Sequence, residues 1–222
     1  MRRNQLRYIV IILLFLFITS ILIFLTIDHF LESRVGSIRA PSLQNTFLLV
    51  VITSAGQNWE KQDVIRRTWL TLSPAQSKHV FVIGDGGNKK YNQNKIIEEA
   101  VLQNDILMLR DTSDVYNSLT NKVLQAFVHL NEQWKFRYLL KCDDDSFVRL
   151  KNIVSELETR FRNVDNLYWG FFHGSANVRR RGKWKETKWI LCDHYLPYAL
   201  GGGYILSQSL VKFIADNKHY LV

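Results

Sequence analysis

From Phe47 onward the chain repeats one pattern: a short, continuous apolar run rich in β-branched residues, then a longer stretch with apolar side chains three or four apart. A run without polar alternation suits a strand covered on both faces, and strands alternating with helices indicate βαβ units and a parallel sheet. The runs are Phe47–Thr53, His79–Ile83, Asp105–Leu109 and Phe136–Lys141, with helical periods over Gln57–Leu70 (Val64, Ile65 and Trp69 on one side), Asn92–Gln103 and Ser118–Trp134. Leu167–Phe172 reads as a fifth strand, and the aromatic, basic stretch to Ile190 is expected to form a hairpin. Gly201–Gly203 leads a last strand, Tyr204–Leu206, and a helix from Ser207 to about Asn217. The expected fold is α/β: a Rossmann-type, mainly parallel sheet flanked by helices.

The segment Tyr8–Ile27 has no charged residue, Pro or Gly. At helical rise it matches the ~30 Å hydrocarbon core of a bilayer. Its end, Leu25-Thr26-Ile27-Asp28, is a poor signal-peptidase site, so an uncleaved signal anchor is expected. Arg2, Arg3 and Arg7 precede it, which places residues 1–7 in the cytoplasm and everything after the anchor in the lumen or exterior. The expected organisation is a tail (1–7), an N-terminal transmembrane helix (8–27), a stem (28–45) and one α/β domain (46–222). The chain carries a net charge of +9, but this topology argues against nucleic acid as the partner. A hydrophobic content of 47% excludes a largely disordered chain, and two cysteines exclude a disulfide-dense scaffold or a thiolate zinc site.

In an open α/β sheet, ligands bind outside the carboxyl ends of the strands. The fourth strand delivers Asp143-Asp144-Asp145 there. Three successive carboxylates repel one another unless a cation or hydrogen-bond donors compensate them. Alternate residues of an extended segment share a side, so Asp143 and Asp145 can face together. Two hard oxygen ligands beside a phosphate-bearing substrate suit Mg²⁺ or Mn²⁺. The alternatives are a solvated acidic turn and a calcium loop; the second lacks the spaced ligands and central glycine of an EF-hand. Gly84-Asp85-Gly86-Gly87 has no Gly-Lys-Ser/Thr ending and is expected to be a turn.

Leu139-Leu140-Lys141-Cys142-Asp143-Asp144-Asp145-Ser146-Phe147 resembles the Asp-x-Asp segment of the family 31 inverting β-1,3-glycosyltransferases. Three further blocks agree in order. Val64-Ile65-Arg66-Arg67-Thr68-Trp69 is similar to the family's Ile-Arg-x-Thr-Trp element. Asp114-Val115-Tyr116 through Leu119-Thr120-Asn121-Lys122 is similar to Asp-x-Tyr-x-Asn-Leu-Thr-x-Lys, with Ser118 in place of the Asn. Tyr195–Ser207 is similar to Tyr-Pro-x-Tyr-x-x-Gly-x-Gly-Tyr. The segments Leu167–Phe172 and Leu191–Tyr198 most resemble the galactosyltransferase branch that builds the glycosaminoglycan linker.

The resemblance implies a GT-A fold, UDP-galactose as donor, Mn²⁺ as cofactor and a type II Golgi membrane enzyme. Its acceptor would be a terminal β-galactoside on a proteoglycan core protein. It assigns Asp145 as direct metal ligand, with Asp143 toward the ribose and uracil and Asp144 in the donor site. Arg66 and Lys122 fall on matched basic positions, where nucleotide contact and a salt bridge remain open alternatives. Tyr198, Gly201, Gly202, Gly203 and Trp169 would form the acceptor or donor pocket, the glycines through their tolerance of positive φ. Trp184 and Trp189 are further candidates for stacking on sugars. Arg179–Arg181, Lys183, Lys185 and Lys188 form a basic patch suited to an acidic glycan, or an ordinary solvated face. The family's general base lies in a Glu-Asp-Val block beyond the position of Val222, so the polypeptide as given is expected to transfer little galactose. Transfer of N-acetylglucosamine or N-acetylgalactosamine, and a non-catalytic UDP-binding role, are the alternatives.

Overall fold

The structure, a computed structural model, describes residues 19–20, 44–86, 93–182 and 185–221, and every element below lies in the compact unit Ala40–Val222. The expected anchor (8–27) and stem (28–45) fall almost wholly outside the described residues. Among the described residues, no helix is long and apolar enough to cross a membrane.

In chain order the elements are β1 (Gln44–Thr53), α1 (Trp59–Arg67), β2 (Ser77–Gly86), α2 (Gln93–Gln103), β3 (Ile106–Ser113), α3 (Leu119–Gln133) and β4 (Trp134–Asp143). They continue with α4 (Leu150–Thr159), β5 (Tyr168–His173), β6 (Tyr198–Ser207) and α5 (Gln208–Asp216). One six-stranded sheet runs β3-β2-β1-β4-β6-β5. The first four strands are parallel; β6 runs antiparallel to both β4 and β5.

The continuous apolar runs are explained by burial on both faces. Leu49, Val51, Val80, Val82, Leu107, Leu109 and Leu139 pack against Ala126, Phe127 and Leu130 of α3 and Val211 of α5. The alternate residues Leu48, Val50, Ile52, Phe81 and Ile83 are equally buried. Each such side chain contributes about 1.5–3 kcal/mol of transfer free energy. Asn104, at φ 51°, closes α2 with its N–H on the Ala100 carbonyl, a left-handed cap that Asn tolerates.

Several expectations are corrected. Helix α4 was not anticipated, although Leu150, Val154 and Leu157 sit at helical spacing and are buried. Val64 is exposed, and Gln62 takes the inward position of α1 because its amide donates to Ser54 Oγ and the Ala55 carbonyl, each at 3.0 Å. Trp134 opens β4 instead of ending α3. Gly84–Gly86 continue β2 instead of turning. Among the described residues of 174–197 no hairpin forms: a single bridge joins Asn177 to His194. Around that bridge the Val178 and Tyr195 N–H groups donate to the Asp193 and Ala176 carbonyls, and Arg180 donates to the carbonyls of Glu186 and Trp189 in place of further ladder bonds. Gly201–Gly203 lie inside β6, and none has positive φ.

Candidate active site

The strand order reverses at the junction of β1 and β4. From β1 the chain moves outward through β2 to β3, and α3 then carries it back to β4 on the other side of β1. Such a switch point opens a crevice outside the carboxyl ends of the two strands. Here β1 ends at Thr53, and Ser54 follows it directly. β4 supplies Asp143, and a turn closed by the Ser146 N–H on the Asp143 carbonyl (3.2 Å) presents Asp144 and Asp145.

The three neighbouring carboxylates are held very differently. Asp143 Oδ1 accepts from Lys141 Nζ at 2.5 Å and from Thr53 Oγ1 at 2.7 Å. Asp144 has both oxygens engaged: Oδ2 by Ser54 Oγ (2.8 Å) and Asn58 Nδ2 (2.7 Å), Oδ1 by Lys61 Nζ (3.2 Å). Asp145 is exposed and has no hydrogen-bond or ion-pair partner among the described residues. Pairing therefore relieves the repulsion at two of the three positions and leaves the third charge open.

A buried latch frames this edge. Lys122 Nζ donates to Asp114 Oδ1 (2.6 Å) and to the Ser54 carbonyl, with both ionic side chains only 4% exposed. Asp114 also accepts the N–H groups of Gly84 (2.8 Å) and Gly56 (3.3 Å). Gly84 is required by this close approach, since a Cβ there would lie 2.1 Å from the Thr112 carbonyl oxygen. Burial pushes the Lys122 ammonium below its ordinary pKa, and the Asp114 charge only partly offsets that.

Two cavities meet at the acidic turn. One of about 290 Å³ is lined by Thr53–Ala55, Asn58, Asp114–Tyr116, Leu119, Lys122 and Asp143–Asp145. The other, about 1220 Å³, shares Tyr116, Leu119, Asp143 and Asp145 and continues past Lys141, His173, Arg179, Trp189, Tyr195, Tyr198, Gly201 and Gly202. Trp189, Tyr195 and Tyr198 form an edge-to-face series, with centroids 5.5 and 5.9 Å apart, along its far wall.

A family model described as galactosyltransferase matches residues 60–221. The chain belongs to the galactosyltransferase family. It is 40% identical over 180 residues to beta-1,3-galactosyltransferase 6 of Mus musculus, covering 79% of this chain and 55% of that protein. It is 32% identical over 129 residues to UDP-GalNAc:beta-1,3-N-acetylgalactosaminyltransferase 2 of Xenopus tropicalis, covering 56% of this chain and 26% of that one. The chain thus spans about half or less of the length of these curated relatives. The solved apo-form glycosyltransferase GlyE of Streptococcus pneumoniae covers 79% of this chain and 39% of its own at 10% identity, with a TM-score of 0.36, too low to bear on the fold assignment.

Within this galactosyltransferase domain, the residues singled out from sequence fall in three places. Asp143, Asp144, Asp145 and Lys122 converge on the smaller cavity; Tyr198, Gly201 and Gly202 wall the larger one. Trp169 and Gly203, with Gly202 at the boundary, line a separate apolar cavity of about 630 Å³ with Leu140 and Cys142. Strand alternation explains the split, because Leu140 and Cys142 face away from Lys141 and Asp143. Trp169 packs on Phe161 at 5.0 Å. Arg66 lines neither site cavity: its guanidinium grips both oxygens of Asp105 at 2.8 Å and Glu99 at 2.7 Å, the salt-bridge alternative left open by the sequence. Trp184 and Lys183 lie outside the described residues. Cys142 and Cys192 are both free, and burial pushes the Cys142 thiol up to about 12.

Sequence reasoning did not single out Thr53, Ser54, Asn58, Lys61, Asp114 or Lys141 as site residues. For Lys141 a signal existed: a lysine inside a buried strand, two residues before Asp143, must share its side. Thr53, Ser54 and Asn58 carry no such signal, because only the parallel pairing of β1 with β4 sets them beside the acids.

Among the described residues no three His, Cys, Asp or Glu side chains cluster closely enough to enclose a metal. A cation held by one or two carboxylates together with phosphate oxygens, the habit of Mg²⁺ and, with similar donors, Mn²⁺, does not require such a cluster. The unpaired Asp145 and the free second oxygen of Asp143, both facing the cavities, fit this donor set.

Proposed function

We propose that this chain is part of a β-1,3-galactosyltransferase. It would transfer galactose from UDP-galactose to a terminal β-galactoside of the proteoglycan linker, with Mn²⁺ as cofactor, as a type II protein of the Golgi membrane. The observation that carries the reading is the unpaired Asp145 at the junction of two cavities, at the switch point of a sheet that belongs to the galactosyltransferase family. The galactose and linker assignments rest on the similarity to the mouse relative and the blocks Leu167–Phe172 and Leu191–Tyr198. The membrane assignment rests on the uncharged run 8–27 with its preceding arginines.

In this reading the smaller cavity takes the nucleotide, with Thr53, Ser54 and Asn58 fixing the acidic turn beneath it. Asp145 and the free oxygen of Asp143 would hold Mn²⁺, which supplies Lewis-acid neutralisation of the departing UDP. The larger cavity takes the sugars: Gly201 and Gly202 leave room in its lining, where Tyr198, Tyr195 and Trp189 offer aromatic edges and faces. The GT-A architecture implied by sequence is consistent with the parallel β3-β2-β1-β4 core. No residue is assigned as general base.

Calorimetry of the full chain with UDP and Mn²⁺ tests the site, with Asp145→Ala as control. Metal-dependent UDP binding that the substitution removes is expected; binding unchanged by it defeats the reading. Transfer assays then compare UDP-galactose with UDP-GalNAc and UDP-GlcNAc on a galactosyl-xyloside. A preference for UDP-GalNAc would favour the second reading, motivated by the Xenopus tropicalis relative.

A further inference from the structure

The Lys141 side chain is only 4% exposed, and its ammonium makes two hydrogen bonds. It donates to Asp143 Oδ1 at 2.5 Å and to the Gly201 carbonyl of β6 at 2.7 Å, and it lies 5.9 Å from the centre of the Tyr204 ring. The β-pleat puts it on the same side as Asp143, and the antiparallel register places Lys141 opposite Tyr204. Thr53 takes a second position on the same Asp143 oxygen. A carboxylate oxygen bound by an ammonium and a hydroxyl has most of its charge already answered, whereas Asp145 has all of its charge available.

Resting on the metal reading above, we propose that Lys141 is a positioning residue: by occupying one oxygen of Asp143 it makes Asp145 the dominant carboxylate for a divalent cation. The same ammonium ties the acidic turn to Gly201, so the choice of ligand is coupled to the β6 wall of the larger cavity.

The probe is Mn²⁺ itself, titrated into the full chain with and without UDP and read by electron paramagnetic resonance. In the wild-type background, Asp145→Asn is expected to weaken Mn²⁺ binding about tenfold or more, and Asp143→Asn less than about threefold, since its shared charge counts for less. Lys141→Met should tighten Mn²⁺ binding several-fold by removing a nearby like charge, and should raise the penalty of Asp143→Asn to about tenfold. Lys141→Arg, which keeps the charge, should keep the wild-type ranking. If Lys141 only stabilises the fold, Lys141→Met lowers the melting temperature and weakens Mn²⁺ without changing that ranking, which overturns the proposal. Should Lys141→Met fail to fold, equal penalties from Asp143→Asn and Asp145→Asn would overturn it. An Asp145→Asn protein that binds Mn²⁺ normally would sink the metal reading as well.

Discussion

The two edges of the sheet carry ionic clusters of similar composition and opposite character. At the amino edge, Asp105 precedes β3, and the end of α1 brings Arg66 to it. His79 Nε2 lies 3.2 Å from the same carboxylate, and the guanidinium sits 4.7 Å over the Phe81 ring. Every charge in that group is answered. At the carboxyl edge Asp143 and Asp144 are answered, but Asp145 is not, and cavities open beside it. Density of charge is common to both edges; an unanswered charge facing space belongs to one. That distinction separates the acids that support the sheet from the one left open beside the cavities.

The sharpest way to break this contrast is at the latch. Lys122→Ala would leave Asp114 charged, buried and short of its counterion, and is expected to cost about 3–5 kcal/mol in denaturant unfolding. A cost below about 1 kcal/mol would mean that Asp114 is sustained by Gly84 and Gly56 alone. At the other edge, Arg66→Ala should destabilise by roughly 2–3 kcal/mol, since it strips partners from two partly buried carboxylates, while metal-dependent UDP affinity stays constant. A drop in that affinity would restore Arg66 to the nucleotide site. Asp145→Asn should do the reverse: about a tenfold or greater loss of UDP–Mn²⁺ affinity with stability within about 0.5 kcal/mol of wild type.

The acid limb of the stability curve gives a smaller effect. Burial pushes the Asp105 carboxyl up, but hydrogen bonds from His79 and Arg66 outweigh it and hold the group below its ordinary 3.8. As pH falls, the unfolded chain takes up this proton first. The contribution is therefore complete above the unfolded value and is lost as pH drops through the folded one. Asp105→Asn should remove that slope below about pH 4.5, measured by thermal unfolding against pH. A small stability change is also expected for Gly202→Val. A Cβ there meets nothing within 4 Å, and valine suits extended backbone, so stability should move by less than about 1 kcal/mol. Acceptor use should nevertheless fall as the larger cavity fills; an unaltered acceptor KM would show that this wall is not used.

Much of this fold was legible because burial on both faces leaves a period-free apolar run, which is how β1 to β4 stand out. The ends of elements were less legible. β6 begins at Tyr198, six residues before the apolar signal, because backbone pairing and not side-chain burial sets its start: Tyr198 and Ala199 pair with His173 and Phe172 of β5, and Gly203 pairs with Cys142 of β4. α4 carried an apolar period that was there to be read, at Leu150, Val154 and Leu157. The acidic triplet marked the candidate site, since three adjacent carboxylates at a strand end demand compensation, and the structure places it beside the two cavities.

What the chain's order of residues determined by itself is the set of strands, the alternation that makes them parallel, and the place where negative charge gathers. Local periodicity and charge are properties of neighbours along the backbone, so a linear reading captures them. Which of three adjacent aspartates stays unpaired was decided only in three dimensions. Thr53, Ser54, Asn58 and Lys61 lie some ninety residues from the acids they bind, and only the parallel pairing of β1 with β4, together with the turn and helix that follow β1, brings them within hydrogen-bond reach.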